Sequence, residues 1–262
     1  MTDRSVLTGR SAVVTGGGRG VGAEVARLLA ASGASVLVAA RTSSEVEQVA
    51  TELRRSGANA FATTCDVSDP HSIDSLATRA RDTFGQIDIL INNAGIATAA
   101  PLARTTLDEW NRVLAINATG AFLCMQAFVP GMVERRWGRV VNVASTLALT
   151  GYRYTTAYTA SKHALLGLTR SAAAESAAHG VTVNAVCPSY LDTRMTEETV
   201  ARVTAKTGRS REEALDVIVG QNPQKRLIDP QEVAATVVYL CSDAAASING
   251  AALVIDGGEL RR

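Results

Sequence analysis

The chain carries almost no net charge. Its 26 Lys and Arg nearly balance 25 Asp and Glu, leaving +1 over 262 residues. That removes bulk electrostatics as a reason to bind nucleic acid or an anionic membrane. It has only three His, at 71, 163 and 179, without ligand spacing, so no metal site is expected. Its four Cys, at 65, 124, 187 and 241, lie far apart in apolar runs and form no Cys-x-x-Cys. They are expected to be buried, reduced thiols of a cytoplasmic protein rather than bridges or zinc ligands. No uninterrupted apolar run approaches the roughly 20 residues of a membrane span. Met1 to Arg10 lacks the apolar region of a signal peptide. No internal repeat, linker or low-complexity tail appears, so residues 1–262 are expected to form one domain.

What is present is a soluble composition, 47% hydrophobic, with strand-like and helical runs in alternation. Ser11 to Thr15 is a short apolar strand. Thr15-Gly16-Gly17-Gly18-Arg19-Gly20-Val21-Gly22 follows and opens a helical stretch ending at Gly33; Ser35 to Ala40 is the next strand. A glycine loop inside such a βαβ unit lets backbone approach a pyrophosphate at the positive helix N-terminus. Further strands are expected at 59–65, 87–91, 139–145, 181–187 and 251–255, separated by helices. Capping boxes are expected at Thr42-Ser43-Ser44-Glu45, at Thr106 to Glu109 and at Asp229-Pro230-Gln231-Glu232. The alternation predicts a Rossmann-like, doubly wound, seven-stranded parallel sheet with helices on both faces. Gly16, Arg41, Asp66, Asn92 and Ser145 then all fall at or just after the carboxyl ends of strands, where such sheets bind ligands.

The end of the second strand bears on the nucleotide. An acid there would hold a ribose 2′-hydroxyl, and Arg would accommodate a 2′-phosphate. The sequence reads Ala39-Ala40-Arg41-Thr42-Ser43, without an acid, and Arg19 is a second cation in the glycine loop. Two cations and two hydroxyls suit a dianion, so NADP(H) is the expected cofactor.

Ser145 ends an apolar strand, and Tyr158-x-x-x-Lys162 opens a later helix. The i,i+4 spacing puts the phenol and the ammonium on one helix face. Lys162 is expected to pull the phenol's pKa down from about 10 towards working pH. Ser145 would be a second donor to the same oxygen, giving acid/base equipment for interconverting a carbonyl and an alcohol. Residues 190–228 are charged and helical in pattern, and are expected to close over a substrate as a lid.

The set Thr15-Gly-x-x-x-Gly20-x-Gly22, Asp66-Val67, Asn92-Asn93-Ala94-Gly95, Asn117, Ser145, Tyr158-x-x-x-Lys162 and Asp256-Gly257-Gly258 resembles the short-chain dehydrogenase/reductase family over nearly the whole chain. The resemblance implies that Tyr158 is the acid/base, that Lys162 tunes it and holds the nicotinamide ribose, and that Ser145 polarises the carbonyl. It implies that Asn117 holds a water for proton relay. It also implies that Asp66 and Val67 meet the adenine, that Asn93, Ala94 and Gly95 support the cofactor, and that Pro188 and Thr193 lie beside the nicotinamide. The family's Pro-Gly after the sixth strand is Pro188-Ser189 here, which puts that loop's geometry in question. A homotetramer packed partly through helices near 107–135 and 155–179 is implied in the same way.

Parts of the chain are similar to polyketide and 3-oxoacyl ketoreductases, which use NADPH. The 190–228 segment is similar to that of 3-hydroxybutyrate dehydrogenases, which use NAD. Those enzymes clamp a carboxylate with Gln, His and Lys at positions that hold Ala97, Leu147 and Thr155 here. The substrate expected is therefore a neutral ketone, a cyclic ketone or an acyl thioester. The competing expectations are an oxidative secondary-alcohol dehydrogenase and a catalytically silent nucleotide-binding scaffold.

Overall fold

A computed structural model describes residues 6–260. Seven strands form one parallel sheet, in the order β3-β2-β1-β4-β5-β6-β7. They are β1 (Ser11–Thr15), β2 (Ser35–Ala40), β3 (Ala60–Thr64), β4 (Ile89–Asn92), β5 (Gly138–Val143), β6 (Val181–Pro188) and β7 (Ala252–Ile255). Side chains alternate between the two faces, as a two-residue period requires. Val14, Val38, Ile91 and Val141 face a layer of α1 (Gly20–Ala31), α2 (Ser43–Arg55) and α9 (Pro230–Cys241). Val13, Leu37, Leu90, Val140 and Val183 face α3 (Pro70–Phe84), α5 (Gly120–Glu134) and α6 (Thr156–Ser176). With helices on both faces, strands read as continuous apolar runs, which is why they were legible.

The chain's strand order turns back between β1 and β4, which opens the crevice where doubly wound sheets take nucleotides. α4 (Leu107–Leu114) joins α5 through a π-helical turn, Ala115–Thr119, at the interruption expected near Asn117. The whole helical stretch Leu107–Glu134 is long and apolar enough, by length and composition, to cross a membrane. Here Cys124, Met125, Phe128 and Met132 are buried in the core beneath the sheet.

Two local expectations need correcting. The box at Thr42 does not form, because Thr42 makes no side-chain cap bond and Glu45 reaches Arg19 instead. Thr106 accepts from the Glu109 N–H, whereas Asp229 and Glu232 form the full reciprocal box. The change of Gly to Ser at 189 costs no backbone strain. Among the described residues only Arg136, Tyr154 and Lys225 have positive φ outside glycine.

Candidate active site

The glycine loop is built against the end of β4. Gly16 has φ +63°, and a Cβ there would lie 2.8 Å from Ala94 Cα. At Gly22 a Cβ would meet the Gly16 carbonyl oxygen at 2.3 Å and Asn93 Nδ2 at 2.4 Å. Asn93 Nδ2 donates to the Thr15 and Gly16 carbonyls at 3.1 and 3.0 Å, and Thr15 Oγ1 accepts from the Asn93 N–H at 3.1 Å. The Asn-Asn-Ala-Gly segment thus braces the loop. Above it, Gly20 has φ +54° and its nearest neighbour would be Thr193 Cγ2 at 3.6 Å, so Thr193 stands across the crevice from the loop. Among the described residues no side chain caps α1, whose first N–H groups follow Arg19 and Gly20. Uncapped donors, bare backbone and a positive helix end fit a dinucleotide pyrophosphate.

Val67 presses its carbonyl on α5, where a Cβ at Gly120 would come within 2.7 Å of it. Asp66 starts the turn into α3: its Oδ1 accepts from the Ser68 N–H at 2.9 Å and from the Ser68 hydroxyl at 2.6 Å. Those bonds, with a smaller contribution from Arg41, hold its carboxyl below the usual range. Arg41 and Thr42 are exposed at the end of β2, as expected for groups facing a nucleotide. Arg19 is not free in the way the sequence suggested: its Nη1 lies 3.4 Å from Glu45 Oε1.

At the end of β5, Ser145 and Lys162 are buried and Tyr158 is partly so. Lys162 Nζ donates to the Val143 carbonyl at 2.8 Å and sits 5.7 Å from the centre of the Tyr158 ring. Burial pushes the Tyr158 phenol up to about 12, and a hydrogen bond with Ser145 pulls it the other way. Burial also pushes the Lys162 ammonium down to about 8. The expected lowering of the phenol by Lys162 is therefore corrected. The protein's own groups raise it, because desolvation disfavours both charged forms.

Asn117, on the π-turn, is buried. Its Oδ1 accepts from the Ile96 N–H at 2.8 Å, and its Nδ2 donates to the Ile96 carbonyl and to Ser161 Oγ, each at 2.9 Å. The side chain is spent as a clamp between the segment after β4 and the catalytic helix. Gly95 lies beside it, with a notional Cβ 3.3 Å from Asn117 Oδ1 and 3.6 Å from Lys162 Nζ.

Sequence reasoning missed the groups that hold this site together. Asn92 Nδ2 donates to Asn142 Oδ1 at 2.9 Å, and Asn142 Nδ2 donates to Thr169 Oγ1 at 2.8 Å. This buried chain pins α6 to β5 and so fixes Tyr158 and Lys162 relative to Ser145. A polar residue inside an apolar strand was its visible signal. Residues 190–228 form α7 (Arg194–Thr207) and α8 (Arg211–Val219), packed on their own apolar cluster of Val200, Ala214 and Ile218. A short stem closes the excursion, with Asp192 N–H to Ile228 O at 3.0 Å and Ile228 N–H to Tyr190 O at 2.9 Å.

A crevice for a dinucleotide and a Ser, Tyr and Lys at the ends of parallel strands define a nucleotide-dependent oxidoreductase of the alcohol/ketone type. The short chain dehydrogenase family model matches residues 10–204, and the chain belongs to that family. It is 37% identical over 256 residues to a 3-oxoacyl-[acyl-carrier-protein] reductase of Synechocystis, covering 97% of this chain and 98% of that one. It is 35% identical over 259 residues to a D-beta-hydroxybutyrate dehydrogenase of Cupriavidus necator, again 97% and 98%. A solved actinorhodin polyketide ketoreductase with NADPH superposes with a TM-score of 0.93 at 36% identity, covering 97% of this chain and 98% of that one.

Proposed function

We propose that this protein reduces a ketone to a secondary alcohol with NADPH, the ketone being a 3-oxoacyl thioester or a polyketide-like or cyclic ketone. Bound nicotinamide supplies the hydride. Tyr158 gives its phenolic proton to the carbonyl oxygen, and Ser145 donates a hydrogen bond to the same atom. Lys162 holds the ribose and carries positive charge beside the phenol. Asn117 keeps the Ile96 segment against α6, so any relay water at this position uses its backbone carbonyl. The carrying observation is that Ser145 and Lys162 are buried at the carboxyl end of β5 and that Lys162 Nζ, bonded to the Val143 carbonyl at 2.8 Å, lies 5.7 Å from the centre of the half-buried Tyr158 ring.

Exposed Arg41, at the end of β2, supports NADPH over NADH. The NADPH-bearing structural neighbour supports the same assignment. Four buried thiols suit a reducing cytoplasm. The half-exposed Phe122 on α5 suits packing between subunits of a homotetramer, which light scattering tests. Tyr158→Phe tests the chemistry. Turnover of ketones should disappear while NADPH binding, followed by its fluorescence, persists. Full activity in that variant refutes the assignment.

A further inference from the structure

The segment after β7 brings a carboxylate against the loop that leads to Tyr158 and against the first residue beyond β6, with the base of the 190–228 excursion beside it. Asp256, itself buried, accepts from the Gly258 and Leu260 N–H groups, each at 2.8 Å, and so curls the chain into a tight turn. Asn222 and Pro223, at the base of the 190–228 excursion, pack on Gly257 and Gly258. The turn aims Glu259 inward. One carboxylate oxygen accepts from the Tyr152 hydroxyl, the other from the Ser189 hydroxyl. Tyr152 lies on the loop that runs from Ser145 to Tyr158. Ser189 is the first residue beyond β6. Glu259 is half-buried, and among the described residues no cation pairs with it. Arg153, next to Tyr152, turns its guanidinium over the exposed Tyr154 ring at 5.3 Å.

We propose that Glu259 sets the charge selectivity of the substrate pocket, so that ketones bearing a free carboxylate near the carbonyl are rejected and neutral ones are admitted. This rests on the ketone-reductase assignment above. A carboxylate in a partly desolvated wall repels a second one at short range by far more than it would in water. The neighbouring walls offer no compensation, since Ala97, Leu147 and Thr155 are uncharged and Lys162 is directed at the Val143 carbonyl. Burial raises the Glu259 carboxyl above its ordinary range, as expected for an unpaired acid in such a wall.

The test compares 3-oxobutanoate with its methyl ester, by kcat/KM and by quenching of the fluorescence of the NADPH-loaded protein. Glu259→Gln keeps the shape and removes the charge; its amide oxygen still accepts from one hydroxyl, and its NH2 donates to the other. It should raise the acid-to-ester ratio about tenfold at low salt, and less at high salt. Glu259→Ala should move the ratio the same way even if the loop loosens. Glu134→Gln, at the exposed far end of α5, should leave the ratio where it is. An unchanged ratio in both Glu259 variants overturns the proposal, as does an equal change in Glu134→Gln. A wild-type protein that reduces neither probe, nor any 3-oxoacyl thioester or cyclic ketone assayed beside them, overturns the ketone-reductase assignment and this inference with it.

Discussion

Lys162→Met should separate the cost of burying a charge from the loss of the chemistry that charge serves. Lys162 is 4% exposed, and burial brings its pKa from 10.5 to about 8. At about 1.36 kcal/mol per pH unit, the folded state gives up about 3 kcal/mol to keep this amine charged below pH 8. A Lys whose folded pKa is depressed makes the protein gain stability as pH rises from the folded value to the unfolded one. Between pH 8 and about 9.5 that gain is about 2 kcal/mol. Tyr158 does not interfere, because its raised pKa lowers stability only above its unfolded value of about 10. Methionine fills similar space without charge and forfeits one bond to the Val143 carbonyl, a pH-independent loss of about 1–3 kcal/mol. Urea unfolding of both proteins, at fixed protein concentration and without dinucleotide, reads the difference. Relative to Lys162→Met, wild type should gain about 2 kcal/mol from about pH 7 to about pH 9.5, while the variant loses turnover. A stability difference that stays constant across that range, within about 0.5 kcal/mol, refutes the reasoning.

Glu45→Gln should tighten NADPH severalfold and leave NADH within about twofold, by fluorescence titration, because it frees Arg19 for a 2′-phosphate. The exposed Arg19–Glu45 pair contributes no more than about 1 kcal/mol, so the melting temperature should hardly move. Gly22→Ala should weaken both dinucleotides, since its Cβ meets the Gly16 carbonyl at 2.3 Å and only a backbone shift relieves it. The strain is about 1–3 kcal/mol, measurable in urea. Asn117→Ala should cost about 2–4 kcal/mol in the same assay, because three buried hydrogen bonds go with one side chain; a loss under about 0.5 kcal/mol would contradict the clamp.

The sheet was legible because buried parallel strands spell themselves in Val, Ile and Ala, and because the glycine loop, Ser145 and Tyr158-Lys162 occupy strand ends by chain order alone. The sequence was silent on which charges find partners across the fold. Glu45 lies 26 residues from Arg19, and nothing local says that it would leave its own helix cap for that cation. Glu259 looked like part of a trailing end until its oxygens met Tyr152 and Ser189, 107 and 70 residues away. Of the Asn92–Asn142–Thr169 chain only the polar Asn142 in an apolar strand was visible, because the partners it joins lie 50 and 27 residues away. Propensity and periodicity describe elements, whereas pairing belongs to the distances between them.

The same distinction governs the sign of the acid/base chemistry. Spacing alone places an ammonium beside a phenol and suggests a phenolate. Burial opposes it: desolvation pushes the phenol up and the ammonium down, so both groups are held towards their neutral forms. The two groups are close enough that the steps belong to the pair, so a falling limb near pH 8 in ketone reduction is to be assigned to the Tyr158–Lys162 pair as a unit. Over the neutral range the phenol keeps its proton. A raised pKa makes the phenol a weaker acid as well as a scarcer base, so proton transfer in either direction depends on the charge that Lys162 and a bound dinucleotide bring beside it.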